Sequence, residues 1–131
     1  MPWGGILAVG GGAAVGAWLR WWLGILLNPL FPTLPLGTLA ANLVGGLLMG
    51  FAMELVTRHT LLSPEARLLL TTGFLGGLTT FSTFSAEIST LLLRREWLWS
   101  VLGIGAHVVG SIVLTLVGLL AIRALFQWGS P

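Results

Sequence analysis

Four long apolar runs decide what this chain can become. A helix needs about 20 predominantly apolar residues to cross the roughly 30 Å hydrocarbon core of a bilayer. Runs of that kind extend from Ile6 to Leu27, Leu36 to Val56, Ala66 to Leu93 and Leu98 to Ile122. Of the 131 residues, 56% are hydrophobic and 8% are charged, against about 25% charged in a soluble domain. So few charges cannot cover a water-facing surface, and the solvent this implies is lipid. The expected fold is an all-α membrane protein, a single four-helix transmembrane domain over residues 1–131. The first run has no basic segment ahead of it, so it reads as a retained membrane segment rather than a cleaved signal peptide.

The connectors carry their own punctuation. Asn28 to Pro35 is broken by prolines, which stop helices. Ser63 and Pro64 form an N-cap and first-turn pair for the third run, and Arg94 to Trp97 is a tight link to the fourth. Tryptophan favours membrane interfaces. Trp3 and Trp128 fall outside one end of the bundle, Trp21, Trp22, Trp97 and Trp99 at the other, and Trp18 about a turn inside.

Lys and Arg in excess on one side normally set orientation. Here all six basic residues are arginines, with Arg58, Arg67 and Arg123 on the side of the termini and Arg20, Arg94 and Arg95 on the other. The balance predicts dual topology, with copies inserting both ways and pairing as an antiparallel homodimer; the plainer alternative is a weak bias fixed by a partner. The arginines are dispersed, which argues against a nucleic-acid patch. With no cysteine, thiolate metal sites and disulfides are excluded.

The third run is too long. As one straight helix, Ala66 to Leu93 would measure about 42 Å against a core of about 30 Å. The weak helix formers Gly76, Gly77, Thr79 and Thr80 gather at its middle, which predicts a break at the bilayer midplane. Freed carbonyls in a membrane must be buried in protein or line a polar cavity. Where two antiparallel copies cross, such carbonyls would converge and suit one small monovalent cation. Alternatively, Gly73 and Gly77 simply permit close helix crossing, as small-xxx-small spacing does, which is also the simplest reading of Gly10 to Gly12 and Gly16.

Neutral hydrogen-bonding groups recur at helical spacing. Thr38, Asn42, Gly46 and Gly50 share one face of the second run, and Gly103, His107, Ser111 and Thr115 one face of the fourth. After the break, Phe81, Phe84 and Ile88 share one face, Ser82, Ser85 and Ser89 a second, and Thr83, Glu87 and Thr90 a third. An isolated Ser or Thr is usually interhelical glue, worth about 0.6 kcal/mol per bond. Three stripes exceed that need and read better as a path for a polar solute. A cationic substrate would want a carboxylate deep in the bundle, whereas Glu87 and Glu54 lie toward helix ends. A large aromatic solute would want a Tyr or a central Trp, and neither is present. A small anion fits, because hydroxyl and amide donors can replace its water shell and phenyl edges carry weak positive charge.

Gly37 to Phe51 (GTLAANLVGGLLMGF) and Gly73 to Glu87 (GFLGGLTTFSTFSAE) closely resemble the Fluc, or CrcB, family of fluoride channels, and Gly16 to Trp21 (GAWLRW) resembles their first helix. The resemblance spans essentially the whole chain. It implies a non-enzymatic, fluoride-specific channel in the cell (inner) membrane of a prokaryote, allowing passive fluoride export from an antiparallel dual-topology homodimer. It implies two pores and a structural sodium ion on the two-fold axis, held by backbone carbonyls that correspond to Gly76 and Thr79. It further implies pore phenylalanines at Phe81 and Phe84, a pore-facing Asn42, and a hydroxyl track of Thr38, Ser82, Thr83 and Ser111 with Glu87 near one end.

His107 extends the track as a donor or acceptor, or packs as a helix histidine; a protonated ring would make conduction sensitive to pH. Arg20 has two readings, snorkelling to the interface and forming an electropositive vestibule that gathers anions. His59 reads as a solvated loop residue. The rival function is a small dual-topology, proton-coupled exporter of cationic drugs. It would need an embedded acid, usually in the first helix, and Ile6 to Leu27 contains none.

Overall fold

The computed structural model describes residues 3–58 and 61–129; His59 lies outside them. The described residues are almost entirely helical, and no strand occurs among them. Helix α1 (Trp3–Leu27) runs into a short 3-10 turn at Asn28–Leu30. Helix α2 is Leu36–Thr57. Helix α3, residues 64–78, begins as a regular turn at Pro64–Arg67, widens to π-helical geometry over Leu68–Leu75 and closes at Gly76–Leu78. Helix α4 is Phe81–Leu93. Helix α5, Trp97–Trp128, contains a π-helical stretch at Gly105–Val109 and continues past Ile122. Among the described residues, three helical stretches are long and apolar enough to cross a membrane: Trp3–Leu30, Leu36–Thr57 and Trp97–Trp128.

Local chemistry sets the ends of these elements. Ser63 caps α3 by accepting the amide of Ala66 at 3.1 Å, with Pro64 in the first turn, where its missing N–H costs nothing. Helix α2 has no capping side chain of its own at Pro35. Instead Asn28, nine positions before Gly37, turns its Oδ1 onto the amides of Gly37 and Thr38 at 2.8 and 3.3 Å. Helix α4 stops in a Schellman arrangement: the amide of Glu96 donates to Leu91 and that of Arg95 to Leu92. Arg95 takes the left-handed position, φ 58°, that glycine usually fills.

Helix α1 packs on α3 and on α2, and α2 packs along α5. Both main crossings are very close. A methyl group on Gly12 or Gly16 of α1 would run into the backbone of α3 at Phe74 or Leu78, and one on Gly77 into the backbone of Ala13. Gly50 stands in the same way against Thr115 and Leu119 of α5. In lipid, where apolar burial drives little association, such backbone proximity is the main source of van der Waals contact between helices. Gly10 and Gly11 instead face open space, so the packing role expected of the whole Gly10–Gly12 run falls to Gly12 alone.

The core is small: Ala41, Ala52, Leu75 and Leu78, with Leu19, Leu23, Leu48, Met49, Leu70 and Phe74 around them. A second cluster joins Phe84, Ile88 and Leu91 to Trp99. Phe81 does not join it, although it shares a helical face with Phe84 and Ile88. It is the first residue of α4 and is 76% exposed. At the far end of α2, the buried Glu54 accepts from Arg58 at 3.4 Å and from Arg123 at 3.1 and 3.3 Å, and the Arg58 guanidinium lies 4.0 Å above the Phe126 ring. These contacts tie the last turns of α5 to α2.

Candidate functional site

Between α3 and α4 the backbone is extended for two residues, Thr79 (φ −86°, ψ 153°) and Thr80 (φ −147°, ψ 122°). Helical bonds are lost there, and side chains replace several of them. Thr79 still donates its amide to Leu75 at 3.0 Å and its hydroxyl to the same carbonyl at 2.8 Å. The Thr80 hydroxyl accepts the amide of Thr83 at 3.1 Å and so caps α4. Arg20, reaching over from α1, donates its Nε–H to the carbonyl of Gly77 at 3.1 Å. Among the described residues the carbonyls of Gly76 and Thr79 accept no hydrogen bond.

Asn42 of α2 grips the link on both sides. Its Oδ1 accepts the amide of Thr80 at 2.8 Å, and its Nδ2 donates to the carbonyl of the same residue at 2.9 Å. The second Nδ2 hydrogen meets Nδ1 of His107 on α5 at 3.0 Å. One amide therefore joins three elements, and its donors are fully committed. His107 is 4% exposed and stands in the π-helical turn of α5. Its ring lies against Phe84, centroids 4.6 Å apart, and Phe84 meets Phe81 edge to face at 5.5 Å and 73°.

These groups converge on a cavity of about 410 Å³ lined by Asn42, Thr79, Thr80, Phe81, Phe84, His107 and Ser111, with Gly45, Gly46 and Thr115 among its other walls. Among the described residues, no carboxylate or guanidinium lines it. A second cavity of about 300 Å³ is lined by Arg20, Asn28, Thr38, Thr80 and Thr83, among others. Thr80 lines both, so the extended link stands between them. Thr38 is buried and donates its hydroxyl to Glu87 Oε1 at 2.5 Å. Glu87 Oε2 is buried and unpartnered among the described residues, and Glu87 also lines a third cleft with Thr90 and Arg94.

The helical stripes of the sequence thus meet unevenly. Asn42, His107, Ser111, Phe81 and Phe84 share the first cavity, while Thr38, Thr83 and Arg20 share the second. Ser82 is exposed and hydrogen-bonds the Thr80 hydroxyl at 3.3 Å. Thr115 spends its hydroxyl on Gly46 and Ser111, at 2.8 and 2.9 Å, as a bond between helices α2 and α5 rather than as a cavity donor. Thr80 and Asn28 escape a reading by stripes, because one acts through its backbone and the other from a connector. The doubled threonine after two glycines is the only signal that marks Thr80.

Neutral donors and acceptors buried between apolar helices define a small all-helical membrane protein built to hold polar groups away from water. The family model described as "CrcB-like protein, Camphor Resistance (CrcB)" matches residues 7–119, and the chain belongs to that family. It is 60% identical to a protein of Nitrosospira multiformis over 93% of this chain and 95% of that relative. It is 59% identical to one of Aromatoleum aromaticum over 90% of each chain, and 55% identical to one of Thiobacillus denitrificans over 91% and 96%. All three relatives are named "Fluoride-specific ion channel FluC".

Proposed function

We propose that this protein is a fluoride-specific ion channel that lets fluoride leave the cell passively across the membrane. The carrying observation is the meeting of Asn42, His107 and the two phenyl rings at one cavity without a fixed charge. The family and its curated relatives point the same way. Fluoride is small, strongly hydrated and a strong hydrogen-bond acceptor. A narrow line of donors and ring edges compensates its lost water, whereas a larger halide is compensated poorly. Among the described residues, the donors left uncommitted at the two cavities include the hydroxyls of Thr83 and Ser111 and the second ring nitrogen of His107. Helix α1 carries no carboxylate, so it lacks the acid that a proton-coupled drug exporter needs.

In this reading α3 and α4 form one membrane span interrupted at its middle by Thr79 and Thr80, giving four spans per subunit. The functional unit is an antiparallel homodimer, since the balanced arginines permit both orientations. The broad apolar surface of α5, including Val101, Val109 and Ile112, suits lipid or a second copy. A structural sodium ion on the two-fold axis would be held by the carbonyls of Gly76 and Thr79, which fit because neither is otherwise bonded and Gly76 is exposed on the single chain. Bound there, it would neutralise carbonyl dipoles that converge at the crossing.

Purified protein in liposomes tests the proposal. Rapid electrogenic loss of trapped fluoride, without loss of chloride, is expected. Equal leakage of both anions, or drug uptake coupled to a proton gradient, would sink it.

A further inference from the structure

We propose that His107 is a positioning residue: its neutral ring fixes the direction of the Asn42 amide, and uptake of a second proton by that ring frees the amide from Thr80. The inference deepens the fluoride-channel reading and rests on it for its effect on conduction.

The backbone of Thr80 sets the direction of the Asn42 amide. Its N–H can be met only by an acceptor and its carbonyl only by a donor. Asn42 supplies both, at 2.8 and 2.9 Å, so which end of the amide is oxygen and which is nitrogen follows from the backbone. Nδ2 has hydrogens and no free lone pair. At 3.0 Å from it, Nδ1 of His107 must therefore accept, and the proton of the neutral ring sits on Nε2. That Nε2 is buried and has no partner among the described residues. The π-helical turn Gly105–Val109 adds a residue to the local turn and so re-aims its side chains, a geometry that often marks functional positions.

A doubly protonated ring cannot coexist with this arrangement. Nδ1–H would face Nδ2–H, donor against donor. The amide can satisfy the ring only by turning over to offer Oδ1, and it then sets oxygen against the carbonyl of Thr80 and nitrogen against its amide. Both bonds to the link fail together. Of the charged groups on the surrounding elements, Glu54 of α2 is paired with Arg58 and Arg123, and Arg20 of α1 is bonded to Gly77. Glu87 of α4 accepts from Thr38 and keeps Oε2 unpartnered, but it lines a separate cleft rather than the His107 cavity, and its titration would persist in a variant without His107. Among the described residues of α3 and α5, no other titratable side chain lines the cavity with His107.

Fluoride efflux from liposomes at symmetric pH, from about pH 8 to about pH 5.5, tests the idea with two variants. His107→Asn keeps an acceptor where Nδ1 stands but does not titrate. His107→Leu has no acceptor. The wild type should lose flux reversibly toward acid, whereas H107N, which keeps the acceptor but lacks the Nε2–H donor at the cavity, should conduct at a lower level with a flat profile. H107L should fall at every pH by roughly five- to tenfold, the scale of one lost buried hydrogen bond, while eluting as the wild-type assembly. Isotope-labelled histidine resonances should show the Nε2–H tautomer at His107 in alkaline conditions, whether or not the protein conducts. Matching pH profiles for wild type and H107N, or an Nδ1–H tautomer, would overturn the inference. The expected tautomer in a protein that carries no fluoride would sink the channel reading and leave the positioning role standing.

Discussion

Arg20 donates its Nε–H to the carbonyl of Gly77 at 3.1 Å, and so fixes α1 to the last turn of α3 just before the chain extends. A guanidinium at the end of a helix is favoured twice, by the hydrogen bond and by the negative end of the helix dipole. Neither reading of Arg20 open at the level of sequence, the snorkel or the anion-gathering vestibule, included this contact. Arg20 also borders the cavity that Thr38, Thr83 and Asn28 line, so its remaining N–H groups stay near a polar space.

Replacing Arg20 separates anchoring from attraction. Arg20→Met should destabilise the folded protein in detergent by about 1–3 kcal/mol, the cost of an unsatisfied carbonyl, and lower fluoride flux. Arg20→Lys keeps the charge but not the planar fork that aims Nε, so it should lose a large part of the same stability. Chemical denaturation checks this. A lysine variant as stable as the wild type would leave the charge alone as the reason for an arginine here.

The double grip of Asn42 on Thr80 predicts an unusual sensitivity to a nearly isosteric change. Asn42→Asp removes both Nδ2 donor bonds, to Thr80 and to His107, and sets carboxylate oxygen against carbonyl oxygen. At about 1–3 kcal/mol for each buried group left unsatisfied, fluoride flux should fall by more than about tenfold. Size-exclusion chromatography should still show the wild-type assembly. An aspartate variant that conducts normally would remove Asn42 from the site.

The two phenylalanines should part company in stability and agree in function. Phe84 is 7% exposed and anchors the cluster with Ile88 and Leu91, so Phe84→Ala should cost about 3–5 kcal/mol. Phe81 stands out from the single chain, and Phe81→Ala should cost the fold of that chain about 0.5 kcal/mol or less. Both should reduce fluoride flux in liposomes, because both rings border the same cavity. Unfolding curves measured beside flux decide the point, and a Phe81→Ala channel with full flux would break the pairing.

Glycine spacing makes a separate prediction about assembly of the helices. A side chain on Gly50 would enter the backbone of α5 at Thr115 and Leu119, so Gly50→Leu should push α2 and α5 apart at a cost of about 1–3 kcal/mol or more. Gly10 faces open space, so Gly10→Ala should be neutral or should stabilise α1 by about 0.5–1 kcal/mol. Melting temperatures of the two variants in detergent test the contrast.

Much of the architecture is legible along the chain because lipid leaves few alternatives. A backbone in hydrocarbon must satisfy its own hydrogen bonds, so long apolar runs here mean helices, and prolines, Ser63 and the paired arginines mark where they end. Family membership is legible for a similar reason: the glycines near Thr79 permit a close backbone approach that few other residue types allow, and the threonine hydroxyls bond the helix ends on either side of the link. Helical periodicity also singles out Asn42, Phe84, His107 and Ser111, which line one cavity in the folded chain.

Periodicity is silent about partners. It places Thr38 and Glu87 on separate stripes, yet the two share a 2.5 Å hydrogen bond. It treats Phe81 and Phe84 alike, although the extended link swings one outward. It gives Thr80 no special place, and it cannot say that Asn28 caps a helix that begins eight positions later. The sequence by itself therefore determined the class of fold, the helices and the residues able to carry polar chemistry inside a membrane, because hydrophobicity and backbone satisfaction act locally along the chain. Only the tertiary structure decided which donor meets which acceptor, because a hydrogen bond is settled within a few tenths of an ångström by how helices far apart in sequence cross.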